Sequence, residues 1–384
     1  MTRNDCEALG TARYLAGNEE LRDALGISVH AVLIPHYLGE GEHNRNFWFA
    51  DPENGRRFVL RINVDPQPFH DNQVAYEFAA LQLLEPCGRA PQPLYLDDSP
   101  DAPGKGTLVE TFCEGEQLDF DRLRPGDLRC AVQLMADIHA VRVADVARCP
   151  LHRPADPLRG LFDECVNRFK AYRASGCEDA RLTRWTERFI SAAHSALDEP
   201  CDPQECCHIV NTETLAAHFL IPARSAAAAA EEAATSEGSE AEGSAIGADR
   251  CGSSARFDWR AHPGFFVDWE RPIVGEVAQD LAYFVAPTTT FWSSDFFFTA
   301  DQAEAVVEDY WRAVDGRFPR GRFDARFRAF RMMTALRSTT WFCKALPFYL
   351  GRAEGHMTDR TRGKFPAYLS DEFMEMLARD CFGL

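Results

Sequence analysis

Several groups of residues have types and spacings suited to phosphate and metal chemistry. The run Leu38-Gly-Glu-Gly-Glu-His-Asn-Arg-Asn46 places Gly39 and Gly41 between two candidate strands. Glycines let a backbone approach a phosphate closely and point its N–H groups at it. The same pair would also serve a plain hairpin turn. Arg61 stands in Phe58-Val-Leu-Arg-Ile62. If it points inward it needs an anionic partner, and Glu77 in the following helix is a candidate. If β-edge exposure holds instead, it points to water. Asn211-Thr-Glu-Thr-Leu-Ala-Ala-His218 puts the Glu213 carboxylate five residues before an imidazole, just ahead of Phe219-Leu-Ile221. Phe265-Phe-Val-Asp268-Trp-Glu270 puts an acid after an apolar strand. Acids at strand ends hold metals or substrates, or they cap turns. Cys201-x4-Cys206-Cys207-His208 offers softer ligands. Adjacent cysteines chelate awkwardly, however, and no second pair stands at zinc-finger spacing, so free thiols are the other reading.

The elements that must position these groups follow from periodicity. His30–Ile34, Asn46–Ala50 and Arg57–Asn63 read as strands, and Asp51-Pro-Glu-Asn-Gly55 is hairpin-turn chemistry between the last two. Val74, Phe78, Leu81 and Leu84 recur at helical spacing until Pro86–Gly88 stops them. Pro93–Leu96 and Thr107–Phe112 give a second strand pair. From about residue 125 to 200, and again from about 278 to 384, the pattern is mainly helical, with His208–Val210, Phe219–Ile221 and Phe265–Val267 as short apolar runs between. Strands followed by helices argue an α+β fold with two lobes. Residues 223–256 are rich in Ala, Ser, Gly and Glu and lack aromatics. They cannot bury enough apolar area to order themselves, and are expected to form a disordered loop of a β-hairpin.

Composition narrows the function. The 384 residues carry 41 Lys+Arg against 59 Asp+Glu, a net charge of −18. This excludes a broad nucleic-acid surface, which needs a basic stripe, and a polybasic membrane anchor. No apolar run reaches the 18 residues of a membrane span, and the start lacks a signal-peptide pattern. A cytoplasmic location is expected. The 13 cysteines, an odd number without regular spacing, read as free thiols.

Glycine loop, strand cation with a helix Glu, carboxylate loop and strand-end Asp occur in that order. In this the chain resembles the aminoglycoside phosphotransferase and choline kinase family, with its protein-kinase-like fold, over roughly residues 20 to 350. Val267-Asp-Trp-Glu270 with Gln279-Asp280-Leu-Ala-Tyr-Phe284 is similar to the family's DWE…DLA signature. Val109-Glu-Thr-Phe-Cys-Glu-Gly115 resembles its adenine-holding hinge, and Met135-Ala-Asp-Ile-His139 its A-x-L-H helix. The resemblance implies an N-terminal β-rich nucleotide lobe at 1–112 and a helical lobe at 113–384. It implies ATP or GTP as donor and Mg²⁺, or Mn²⁺, as metal. Gly39 and Gly41 would cover the phosphates. Arg61 takes the place of the phosphate-binding lysine, with Glu77 as its ion-pair partner, and Glu110 and Phe112 fall in the hinge. Glu213 takes the place of the catalytic aspartate and His218 that of the metal-binding asparagine. Asp268 matches the metal-holding aspartate, and Asp280 would brace the catalytic loop.

The family pattern His-Gly-Asp-x-x-x-x-Asn reads here Asn211-Thr-Glu213-x-x-x-x-His218. The extra methylene of Glu moves the carboxylate by about 1 Å, a misplacement that costs on the order of 10²-fold in rate. Imidazole suits softer ions than magnesium. Two functions follow: a working small-molecule kinase, or a pseudokinase-like nucleotide binder. Asp295, Asp301, Glu304, Glu308 and Asp309 around Trp292 and Trp311 form either a subsite for a cationic acceptor or a solvated helix face with two core tryptophans.

Overall fold

The computed structural model describes residues 3–41, 43–65, 71–143, 146–223, 264–352 and 359–384. Two helices open the chain, α1 (Arg3–Gly17) and α2 (Glu19–Leu25). Asn18 starts α2 by accepting the Leu21 N–H at 2.9 Å, and Gly26 ends it at φ 67°. These helices correct the expectation that this region holds only strands and one later helix. The strand expected at His30–Ile34 is also absent: residues 30 to 35 form no ladder. Arg22 explains this. Its guanidinium donates to the carbonyls of Leu15 (2.9 Å), Ser28 (2.6 Å) and Ala31 (3.2 Å) and wraps the segment around α2. Within the run Val32 and Ile34 face solvent and Leu33 is buried.

Five strands then form one antiparallel sheet in the order β1-β2-β3-β5-β4: β1 (His36–Glu40), β2 (Asn44–Ala50), β3 (Arg57–Asn63), β4 (Pro93–Asp97) and β5 (Thr107–Thr111). Helix α3 (Gln73–Leu84) lies between β3 and β4 in sequence, started by Asn72, which accepts the Ala75 N–H. Strand alternation gives the sheet two different faces. Phe47 and Phe49 on β2, and Phe58, Leu60 and Ile62 on β3, pack with Leu15, Leu21 and Leu25 of α1 and α2 in one core. The opposite face carries Asn44, Asn46 and Trp48 on β2, Val59, Arg61 and Asn63 on β3, and Leu108 and Glu110 on β5. A polar row on an otherwise buried sheet marks the side where chemistry is placed.

The remaining chain is mostly helical. It comprises β6 (Glu116–Gln117), α4 (Asp127–His139), α5 (Pro157–Ala174), α6 (Ala180–Ala193), β7 (His208–Val210), β8 (Phe219–Ile221), β9 (Phe265–Phe266), β10 (Ile273–Gly275), α7 (Val277–Phe284), α8 (Pro287–Ser293), α9 (Ala300–Val314), α10 (Phe323–Tyr349), α11 (Asp359–Tyr368) and α12 (Asp371–Leu377). Its core runs through α4, α5, α7, α9 and α10. Two small ladders frame the loops of interest: β7 pairs β10, and β8 lies between β6 and β9. The β8–β9 pair, with Phe219 opposite Phe266 and Leu220 opposite Phe265, is the hairpin expected around the insert. The insert at 223–256 lies, apart from Ala223, outside the described residues. No helix among the described residues is long and apolar enough to cross a membrane.

Candidate active site

Arg61 points inward, toward carboxylates, and is buried. Its Nε lies 3.3 Å from Glu77 Oε2, and one terminal nitrogen donates to Asp268 Oδ1 at 3.0 Å and to Glu270 Oε1 at 3.3 Å. Thus β3, α3 and the segment after β9 meet at one guanidinium. Glu77 is held in turn by Gln73 Nε2 (3.1 Å) and Asn44 Nδ2 (3.2 Å). Asn44 Nδ2 also donates to Glu270 Oε1 at 2.6 Å, and Gln73 Nε2 to the Glu270 carbonyl at 2.6 Å. Glu270, Asn44 and Gln73 were not singled out from the sequence as site residues. Glu270 stands in the quoted Val267–Glu270 signature, which was the available signal.

Glu110 is also buried, and its carboxyl is pushed up to about 7, chiefly by burial, with the Glu77 and Asp268 charges adding and Arg61 offsetting. Four carboxyl groups therefore surround Arg61: Glu77, Glu110, Asp268 and Glu270. Burial raises Glu77 and Glu270, and the neighbouring carboxylates add to the rise. Asp268 differs. Burial opposes its charge, but His218 and Arg61 outweigh that and hold it below the usual carboxylate range.

The segment Asn211–His218 is fixed by Asp280. On α7, wholly buried, it accepts the N–H of Asn211 and of Thr212, both at 2.8 Å, on separate oxygens. His139 Nε2 lies 3.2 Å from it, and His139 Nδ1 is 2.8 Å from the Tyr310 hydroxyl. Asn211 Nδ2 then donates to the Asp268 carbonyl at 2.7 Å, and the Glu213 N–H to Asn211 Oδ1 at 3.1 Å. Thr212 and Asp268 take positive φ, 70° and 67°, a conformation that costs a non-glycine residue roughly 1–2 kcal/mol. Both sit in the loops these bonds tie together. The outcome is that His218 Nε2 lies 3.2 Å from Asp268 Oδ2, while His218 Nδ1 is buried without a hydrogen-bond partner.

Glu213 is held by other arginines. Its Oε1 accepts from Arg337 of α10 at 2.8 Å and from Arg271 at 3.4 Å. Burial works against its charge, but these arginines outweigh it and hold the carboxyl below its ordinary range. Neither arginine was legible as a partner in the sequence.

The remaining expected site residues lie on the sheet. Gly39 is opposite Asn46, which is opposite Arg61, about 10 Å away at two strand spacings. Gly41 donates its N–H to the Asn44 carbonyl at 2.9 Å. Neither glycine has positive φ, and among the described residues a Cβ on either would meet no atom within 4 Å beyond its chain neighbours. The Phe112 N–H donates to the Arg57 carbonyl at 3.2 Å. Its ring lies under the Arg57 guanidinium at 4.3 Å and edge-on to Trp48 at 6.1 Å.

The cysteine cluster separates. Cys201 and Cys206 lie together beside Glu276, but Arg142 donates to Cys207, and His208 Nδ1 sits 2.6 Å from the His139 carbonyl. Glu276 is itself gripped at both oxygens by buried Arg326. The described cysteines are all free.

Residues 36–208 match the family model described as the phosphotransferase enzyme family. No match was found among curated proteins. Among solved structures, a spectinomycin phosphotransferase in complex with ADP and spectinomycin superposes with a TM-score of 0.58 at 10% identity, covering 95% of this chain and 98% of that one. A microcompartment-associated aminopropanol kinase gives 0.58 at 14%, covering 96% and 97%. Choline kinase from Cryptosporidium parvum gives 0.55 at 14%, covering 91% and 90%. The family match begins at the first residue of β1 and ends three residues before Asn211, ahead of the altered loop. The likeness seen in the sequence is met by the family model over residues 36–208, and the kinase-like α+β fold extends over nearly the full length of the chain.

Proposed function

We propose that the protein is a phosphotransferase that moves the γ-phosphate of ATP or GTP to a hydroxyl of a small molecule. The observation that carries this is the buried Arg61 set between Glu77 and Asp268. A fixed cation beside an ionised carboxylate is what phosphoryl transfer asks of a protein: positioning and charge compensation, with little covalent chemistry. Residues 1–112 would form the nucleotide lobe and 113–384 the acceptor lobe. Gly39 and Gly41 would lie over the phosphates, and Glu110 and Phe112 would border the base beside Trp48.

Asp268 Oδ2 and His218 Nε2 offer an oxygen and a nitrogen that converge, and Arg61 is outnumbered by carboxyl groups. The Asp268 oxygen fits a divalent ion, Mg²⁺ or Mn²⁺, whose other ligands would be phosphate oxygens and water, while the imidazole nitrogen suits softer ions than magnesium and would favour Mn²⁺ of the two. When bound, the ion would neutralise charge on the donor phosphates. Arg61 would grip a phosphate oxygen with its fork. Glu213 would orient the acceptor hydroxyl and take its proton as the new oxygen–phosphorus bond forms.

One observation favours the second reading, a nucleotide binder without turnover. Glu213 is pinned by Arg337 and Arg271 and its carboxyl is held low, which makes it a weak base. Calorimetric titration with ATP and GTP, each with Mg²⁺ and Mn²⁺, tests the first step. Binding is expected, with at least a tenfold loss in Arg61→Met. Absence of binding with either metal would end both readings. Binding without nucleotide consumption across a panel of alcohols would leave the binder.

A further inference from the structure

We infer that the acceptor is a hydroxylated small molecule bearing an anionic group, which sits on guanidinium groups beside Glu213. The inference rests on the phosphotransferase reading of the site. Three arginines and two glutamates form one alternating row. Arg168 and Arg337 share Glu164 Oε1, the first through a short ion pair and the second at 4.0 Å. Arg337 and Arg271 share Glu213 Oε1 at 2.8 and 3.4 Å. Glu164 and Arg168 are one turn apart on α5, Arg337 comes from α10, and Arg271 follows Asp268 by three residues. The row therefore runs from the helical core to the loop that carries Asp268.

Within the row each carboxylate is shared by two guanidiniums, and Arg271 has a further interaction besides Glu213. Its members are 16% to 34% exposed, so a solute can reach them. The like charges are close enough to be felt. Arg168 titrates below its ordinary value, chiefly through burial, with Arg337 and Arg271 adding and Glu164 partly offsetting. A bound carboxylate or phosphate would complete the alternation at the Arg168 end, and planar guanidiniums bind such groups through paired N–H donors. A cationic amine would meet repulsion there. Three members of the acidic stretch that suggested a cationic acceptor have cations of their own: Asp295 accepts from Lys364 at 2.8 Å, Glu308 from Arg320 at 2.9 Å, and Asp309 pairs with Arg312.

In the resulting step the acceptor hydroxyl oxygen bonds to the γ-phosphorus and the bond to the β-phosphate oxygen breaks. The nucleoside diphosphate leaves, and the hydroxyl proton passes to Glu213 and then to solvent. No oxidant or reductant is needed.

The test is calorimetric. Nucleotide binding to the wild type is measured first, with a non-hydrolysable ATP analogue and Mn²⁺. The loaded protein is then titrated with D-glycerate, glycerol 3-phosphate, glycerol and choline. At least one anion should bind ten-fold or more tightly than glycerol and choline, and which one binds identifies carboxylate or phosphate as the group. Arg168→Gln should weaken that anion by about tenfold or more, the loss of one hydrogen bond to a charged group. It should leave nucleotide affinity within about twofold. Glu164→Gln, which removes one negative charge from the row, should tighten the anion, and it carries the test if Arg168→Gln does not melt cooperatively. Choline binding better than both anions would overturn the inference. So would neither anion binding the loaded protein, or Arg168→Gln weakening nucleotide and anion alike, since the arginines would then hold the donor. Failure of the first titration would instead remove the phosphotransferase reading, before any acceptor is added.

Discussion

Asp280→Asn is the sharpest test of how the catalytic loop is held. One Asp280 oxygen accepts the Thr212 N–H, and the other accepts the Asn211 N–H and faces His139 Nε2. Asparagine keeps a single acceptor oxygen and turns an NH₂ group toward at least one backbone N–H. A hydrogen bond to a charged group contributes about 1.5–3 kcal/mol, and a buried donor left unpaired costs about 1–3 kcal/mol more. Asp280 is fully buried, so water cannot substitute. The expected loss is about 3–5 kcal/mol, a large share of the roughly 5–15 kcal/mol that holds a domain folded. It should be local as well as global, because Thr212 at φ 70° depends on the same bonds. Denaturant unfolding would give the total, and amide hydrogen exchange at Asn211 and Thr212 the local part. The reasoning is refuted if the variant loses less than about 1 kcal/mol and the exchange of those two amides is unchanged.

Two further outcomes follow from the site and the hairpin. Glu110 is pushed up to about 7 in the folded chain, against about 4.3 when exposed. The folded state thus keeps its proton while the unfolded state loses it, and this group's contribution is full below about pH 4.3 and lost as pH rises through 7. Glu110→Gln should therefore gain up to about 3 kcal/mol over wild type at pH 8 and nothing at pH 4; equal melting-temperature differences at the two values would contradict it. Replacing residues 224–255 with a short turn should leave the melting temperature within a few degrees, because Leu220–Phe265 pairing closes the hairpin beneath them and long loops add little closure cost. Loss of soluble expression would show that the segment packs.

Much of this was legible in the sequence because it is local. The hairpin of β2 and β3 follows from alternation plus Asp51–Gly55, and α3 from a clean apolar period ended by Pro86–Gly88. The inward turn of Arg61 was one of two open choices, and Glu77 decided it. The first 25 residues show only a faint helical period because α1 and α2 bury only a few leucines, while His30 to Ile34 looks like a strand but lacks a ladder partner among the described residues. Arg337 could not be paired with Glu213 or Glu164 from sequence, since only the packing of α10 on α5 and on the loop after β7 brings them together. Glu110 was placed in the hinge for its backbone. That its side chain reaches Arg61 follows from cross-strand register, which composition does not encode.

The two faces of the sheet also act as a proofreading device. Phe58, Leu60 and Ile62 seat in a core of phenylalanines and leucines, and Arg61 emerges on the other side. A slip of β3 by one residue would exchange the faces. It would push the guanidinium among Phe47, Phe49 and Leu21, away from every carboxylate that now holds it, and leave Leu60 in the cleft. Misregistered chains are thereby rejected by the folding equilibrium itself, so a molecule that folds has Arg61 among its carboxylates. Variants that loosen this core should thus lower the yield of folded protein before they alter the chemistry of those molecules that do fold.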